Sequence, residues 1–328
     1  MADTDKNIEA LLYDASGNDE MVDLDAIDPA SLNDRQLLWV NFQTRDPDLV
    51  GSVLERFSIN GFSTHSIENE SLRPQLENFD NFYRFSIDTV KAADDETIEK
   101  QRINLVVAKN VVITIHTGRV DYFDEFRNRE KGETSFGELY AESFVATLLD
   151  LHIVSYYRAL ESIEEKVDDL DAKILRFEIR TDQFLSEISA LRKDIVKLRR
   201  WLLPHRDIFY AFTRPDFQNS FEISSADEYA LLNQHFESAL DAIEHSRETL
   251  LGSFDLYATK SAQLMNTFIK RLTFITFVVG TVGVIAGVMG MNYKTGFYES
   301  PYGFWWTVTA MAVITIALTV YAKFRNWI

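Results

Sequence analysis

Residues 272–291 read LTFITFVVGTVGVIAGVMGM, with Arg271 before them and Asn292, Tyr293 and Lys294 after. No ionisable side chain falls in that run, and about twenty residues at 1.5 Å each span a hydrocarbon core of roughly 30 Å. A second uncharged run extends from Tyr302 to Ala322. Two such helices, spanning about 272–291 and 302–322 and joined by the short loop 292–301, form a hairpin whose ends lie on one side. Lys270 and Arg271 precede the first run and Lys323 and Arg325 follow the second, so the positive-inside bias places both ends in the cytoplasm and the loop outside. Tyr302, Phe304, Trp305 and Trp306 at the outer end, with Tyr321 and Trp327 at the inner end, match interfacial aromatic belts.

Two helices cannot enclose an aqueous path, so conduction requires several copies around a shared axis, whereas a membrane anchor does not. Gly280, Gly283, Gly287 and Gly290 recur on one helix face, and the same stripe reaches Thr276, Thr273, Ile269 and Asn266 toward the cytoplasm. Small residues on one face also serve close helix packing. The polar members favour a pore-lining face.

The whole chain has 328 residues, 33 Lys+Arg against 51 Asp+Glu, and a formal net charge of −18. From Asn266 onward there are five basic residues and one acidic, which leaves 28 basic and 50 acidic residues in 1–265. Such a surface repels nucleic-acid phosphates and attracts cations, so no nucleic-acid partner is expected. With no cysteine, thiolate metal sites, disulfides and cysteine nucleophiles are all absent. The start, Met-Ala-Asp-Thr-Asp-Lys, carries no basic segment followed by an apolar one, and no cleavable signal is expected. None of G-x-x-x-x-G-K-[ST], G-x-G-x-x-G, H-E-x-x-H or G-x-S-x-G occurs, so neither an enzyme nor a resident cofactor is expected.

Upstream of the hairpin the periodicity is helical. Leu149, Ile153, Tyr156, Leu160, Ile163, Val167, Leu170 and Ile174 alternate spacings of four and three, a coiled-coil-like seam. Leu185, Ile188, Leu191, Ile195, Leu198 and Leu202 form a second, ending near Pro204, with a turn expected near Arg180–Gln183. The acidic outer face of this pair, including Glu161, Glu165 and Asp168, reads first as a solvated surface and second as a region that accumulates cations. No proline falls between Asp216 and Ser300, and one helix is expected from about Ser225 to Met291, a length of roughly 100 Å. Its seam includes Leu240, Ile243, Leu250, Phe254, Tyr257, Leu264 and Phe268. His152 beside the first seam reads as a packed helix residue rather than a metal ligand.

Strand-like runs at Leu37–Phe42, Tyr83–Val90, Ile103–Ala108 and Val111–His116 interleave with helical stretches Pro47–Phe57 and Asp121–Arg129. The expected organisation is a cytoplasmic α/β domain in residues 1–135, a helical stalk in 136–265 and the membrane hairpin in 266–328.

Gly290-Met291-Asn292 closes the first span, and here the sequence resembles the CorA superfamily of divalent cation channels. Further matching pieces are Trp39-Val40-Asn41, Arg73-Pro74-Gln75-Leu76-Glu77-Asn78-Phe79, Leu191-Arg192-Lys193, Leu198-Arg199-Arg200, and Asn266 with Leu272-Thr273. The resemblance implies a funnel-shaped homopentamer in a bacterial or archaeal cytoplasmic membrane, with five first spans lining the pore. Its lining would comprise Asn266, Ile269, Thr273, Thr276, Gly280, Gly283 and Gly287. Gly290, Met291 and Asn292 would form the outer selectivity ring, and Glu299 in the loop would attract cations. The transported ion would be hydrated Mg²⁺, with Co²⁺ or Ni²⁺ as further substrates.

The chain departs from the family pattern in several places. Met289 stands where Tyr usually precedes the signature, Thr281 where a proline is common, and Gly280 where a bulky pore hydrophobe often sits. The narrowest point then moves to Ile269 or Leu272. At the family's regulatory Arg-Asp-x-x-Asp-His, this chain has Ala230-Leu231-x-x-Gln234-His235. Asp227 and Glu228, one turn earlier, are the candidate substitutes for a regulatory metal. The alternatives are a ZntB-type zinc transporter, with or without proton coupling, and a membrane-anchored scaffold that conducts nothing.

Overall fold

The computed structural model describes residues 7–14, 19–61, 67, 73–92, 98–130, 140–220, 226–291 and 302–325. They fall into two compact units: residues 1–172 with 179–251, and residues 173–178 with 252–328.

The first unit is built on seven strands: β1 (Ile8–Asp14), β2 (Glu20–Met21), β3 (Gln36–Phe42), β4 (Leu76–Asn78), β5 (Phe82–Ala92), β6 (Ile98–Ala108) and β7 (Val111–His116). Their order is β2-β1-β3-β7-β6-β5-β4. All pairs are antiparallel except the central β3–β7, where Leu38 faces Val111 and Phe42 faces Ile115. A central parallel pair is covered on both faces, which explains why Leu37 through Phe42 and Val111 through His116 are buried without alternation.

Side-chain alternation still divides the two faces. Leu38, Val40 and Phe42 pack with Ile113 and Ile115 beneath α1 (Pro47–Arg56), whose Val50, Val53 and Leu54 point inward. Asp46 caps α1, its carboxylate accepting from the Asp48 and Leu49 amides at 3.0 and 3.4 Å, and Pro47 presets the first turn. On the other face Trp39 meets Phe123 and Phe126 of α2 (Asp121–Glu130) and Phe144 of α3 (Ala141–Arg176) at 5.3–5.6 Å, edge to face. The Trp39 indole donates to Thr114, which donates to Asn41, so the polar residues of this face are joined rather than stranded.

The eight seam residues from Leu149 to Ile174 are all buried along α3. In α4 (Thr181–Leu202) the seam begins at Phe184, while Leu185 is half exposed; the buried set is Phe184, Leu191, Ile195, Leu198 and Leu202. The turn between α3 and α4 is Phe177–Arg180, earlier than expected, because Phe177 adopts φ 58 and ends α3. Two short helices, α5 (Arg206–Phe212) and α6 (Pro215–Ser220), precede α7 (Ala226–Met289). Phe209 stacks on Phe236 and Phe212 on Tyr229, which ties α5 to the first part of α7. The second half of the expected α7 seam behaves differently: Phe254, Leu264 and Phe268 are exposed in the single chain.

A buried polar centre links sheet and helices. Asp88 on β5 is held by the Nε–Nη2 edge of the Arg102 guanidinium and by Lys100 at 3.3 Å. Its backbone N–H donates to Nε2 of His205 at 2.7 Å, and its carbonyl accepts from Tyr156 at 2.5 Å. His205 Nδ1 donates to the Leu202 carbonyl at 2.9 Å. Accepting through Nε2 requires neutral imidazole, and burial holds His205 down to about 4. His152, in ring contact with His205 at 5.2 Å, is fully buried, consistent with the packed reading; burial and then the neighbouring His205 hold its pKa well down.

A histidine with a depressed folded pKa stabilises the fold above its unfolded value of about 6.5, and that stabilisation is lost as pH falls through about 4. The shift corresponds to at most about 3.4 kcal/mol. Thermal unfolding of the full chain followed from pH 7 to pH 4 should therefore show falling stability, and His205→Gln should flatten that slope. A variant with the parent's slope would contradict the assignment.

Candidate ion pathway

In the second unit, two helices are long and apolar enough to cross a membrane: the C-terminal part of α7 and α8 (Gly303–Phe324). Each shelters one stripe. On α7 it is Phe274, Val278, Thr281, Val282, Ile285 and Met289; on α8 it includes Gly303, Thr307, Met311, Leu318 and Ala322. These spacings of three and four are those of one helix face.

The candidate pore residues occupy the other side of α7. Asn266, Ile269, Thr273, Thr276, Gly280, Gly283, Gly287 and Gly290 are exposed in the single chain. At 100° per residue their mean direction lies roughly 180° from the sheltered stripe. The small-residue face therefore does not serve packing within the hairpin, which removes that use of the glycines. A Cβ placed at Gly280, Gly283 or Gly287 would meet nothing within 4 Å.

Gly290 differs from the other three. Its Cβ would stand 3.3 Å from the Ala286 carbonyl oxygen, at the point where the helix closes. There Gly290 N–H donates to Ala286 at 2.9 Å and Met291 N–H to Val288 at 3.2 Å, the latter a tightened last turn. Asn292 and Glu299 lie outside the described residues, so their candidate roles rest on the sequence alone. Ile269 and Leu272, the candidate narrow point, are both exposed.

Asp227 and Glu228 are exposed in the first turn of α7, where the helix dipole favours carboxylates. Among the described residues, no three His, Asp or Glu gather as a metal site within one chain. His235 instead meets Asp150 at 3.0 Å on the surface. Basic side chains of the first unit converge from positions far apart along the chain, which leaves no local signal in the sequence.

The profile described as "CorA-like Mg2+ transporter protein" matches residues 34–323. The cobalt/magnesium transport protein CorA of Thermotoga maritima is 25% identical over 298 residues, covering 88% of this chain and 83% of that protein. The complete structure of the CorA magnesium transporter of Methanocaldococcus jannaschii superposes with a TM-score of 0.71 at 21% identity, over 97% of this chain and 98% of the other. The ZntB cytoplasmic domain of Vibrio parahaemolyticus gives 0.62 at 13% identity, over 78% and 99%. At such identities the structural likenesses establish the fold.

Absence of native cysteine makes the chain a ready background for thiol scanning. Cysteines at Thr276 and Gly283 should react with a membrane-impermeant thiol reagent at least about tenfold faster than cysteines at Val278 and Ile285, since a thiolate forms only where water reaches. Equal reactivity of the two stripes would contradict the assignment.

Proposed function

The chain belongs to the CorA-like Mg²⁺ transporter family, and from that premise we propose that it conducts hydrated Mg²⁺ through a homopentamer whose first membrane helices line the pore. The observation that carries this reading is the exposed stripe from Asn266 to Gly290, mostly small or polar, turned away from the sheltered face of its own helix. A lone hairpin gives such a stripe no use. Several copies around an axis give it a water-filled one.

Each part of the stripe has a physical task. Glycines leave width for an ion with its water shell, and threonine hydroxyls and the Asn266 amide offer hydrogen bonds to that water. Asn292 follows the helix end, and its amide oxygens would accept hydrogen bonds from the shell of Mg²⁺, an ion that dehydrates reluctantly and prefers oxygen. Co²⁺ and Ni²⁺, also divalent and hydrated, would compete there. Glu299 raises the local cation concentration. A regulatory metal at Asp227 and Glu228 would need ligands from a second copy. The driving force needs no nucleotide, because a potential of about 100 mV supplies about 4.6 kcal/mol to a divalent ion. In this reading the protein lies in a cytoplasmic membrane with both termini inside.

Flux into proteoliposomes loaded with a divalent-sensitive dye tests the proposal. Potential-driven Mg²⁺ entry is expected, and Asn292→Ala should reduce it at least about tenfold without changing the size of the assembly. Zn²⁺ entry that requires a proton gradient, with no Mg²⁺ entry, would favour the ZntB-type reading. Flux of neither ion would leave a membrane-anchored scaffold.

A further inference from the structure

Within the acidic first unit, one cavity of about 1010 Å³ runs against the prevailing charge. Six cationic side chains line it: Arg73 ahead of β4, Lys100 and Arg102 on β6, Arg199 and Arg200 at the end of α4, and Arg247 on α7. Three carboxylates share the lining, Asp88, Asp207 and Glu244, so the wall carries a net positive charge.

The pairing is incomplete. Asp88 is shared by Arg102 and Lys100, and Glu244 by Arg199 at 3.4 Å and by Arg247. Asp88 and Glu244 thus each answer two cations, while Asp207 pairs with none among the described residues. Arg73 and Arg200 have no ion-pair partner among the described residues. Arg102 is 4% exposed; Asp88 occupies its Nε and Nη2, and Nη1 has no hydrogen-bond partner among the described residues. The helix dipole explains Arg199 and Arg200, which sit in the last turn of α4. It does not explain why four more cations, from the segment ahead of β4, from β6 and from α7, converge on the same space. Like charges gathered at a low-dielectric wall repel one another, and an anionic ligand relieves that repulsion.

The shape and chemistry narrow the class of anion. Guanidinium groups spread across a cavity of this size suit several linked phosphates better than one, each phosphate taking a two-pronged arginine. The volume is at the upper end of small-molecule sites, about 300–1,000 Å³. Half-buried Trp201 and buried Pro74 add an apolar side to the cationic wall. An indole offers a flat face for a nucleobase.

We propose that this cavity binds a small molecule bearing a chain of phosphates. The same chemistry is found in a nucleoside triphosphate and in inorganic triphosphate, and Trp201 distinguishes the two. The site is separate from the ion pathway and does not rest on the transport reading.

Direct binding to the full chain in detergent, measured by calorimetry in Mg²⁺-free buffer at about 150 mM salt, tests it with orthophosphate, inorganic triphosphate and ATP as probes. Saturable binding of triphosphate and ATP, one per chain and much tighter than orthophosphate, is expected. Arg73→Gln and Arg200→Gln alter exposed side chains and should each weaken binding about tenfold. Lys193→Gln, a surface cation not lining the cavity, should leave it unchanged. Trp201→Leu should weaken ATP alone if the natural ligand is a nucleotide, and neither probe if it is an inorganic chain. No saturable binding, binding untouched by both arginine variants, or equal loss in Lys193→Gln would overturn the proposal. Because no flux is read, such a failure leaves the transport reading intact.

Discussion

In a hydrocarbon core, every backbone N–H and C=O must be satisfied within its own segment, and among the described residues only the end of α7 and α8 are built to do so. Two helices alone cannot surround water. The small-residue face of α7 lies away from the sheltered stripe of its own helix, and in the proposed reading a path for an ion is completed by other copies. The proposed assembly gives the stripe from Asn266 to Gly290 its use.

The first unit solves a different problem, that of keeping charged groups where burial is deep. Asp88 is tolerated because Arg102 and Lys100 meet its carboxylate while its own N–H and C=O are taken by His205 and Tyr156. A neutral His205 is part of that arrangement. The cation-lined cavity opens on the same ion pair, so a bound anion would touch the most highly connected polar centre of the unit.

Sequence alone gave access to elements whose signal is local. Strand β7 was expected over Val111–His116, after the Lys109-Asn110 turn, and it runs over those residues. Helix α7 was expected over 225–291 and runs from Ala226 to Met289, because no proline interrupts it and its apolar residues never lose helical period. Other features depended on tertiary pairing. In β1 only Ala10 and Tyr13 are fully buried, three residues apart, which leaves no alternation to read. Polar Ile98–Arg102 becomes strand because it pairs with β5, and Phe184 displaces Leu185 from the seam because α4 begins at Thr181. The glycine stripe was legible as a helix face. Its direction, away from the sheltered side, was not, since periodicity alone does not say which face meets the partner helix. The cationic cavity left no local trace, as its members stand at positions 73, 100, 102, 199, 200 and 247.

The central claim is that copies of this chain surround a water-filled axis with the Asn266–Gly290 face of α7. A structure of the assembled protein in lipid with Mg²⁺ present tests it most directly. The account predicts that Thr276, Gly283 and Gly287 from five copies face a common open axis, with Asn292 ringing its outer end. Finding that stripe packed against a neighbouring helix, with no continuous path beside it, would contradict the account.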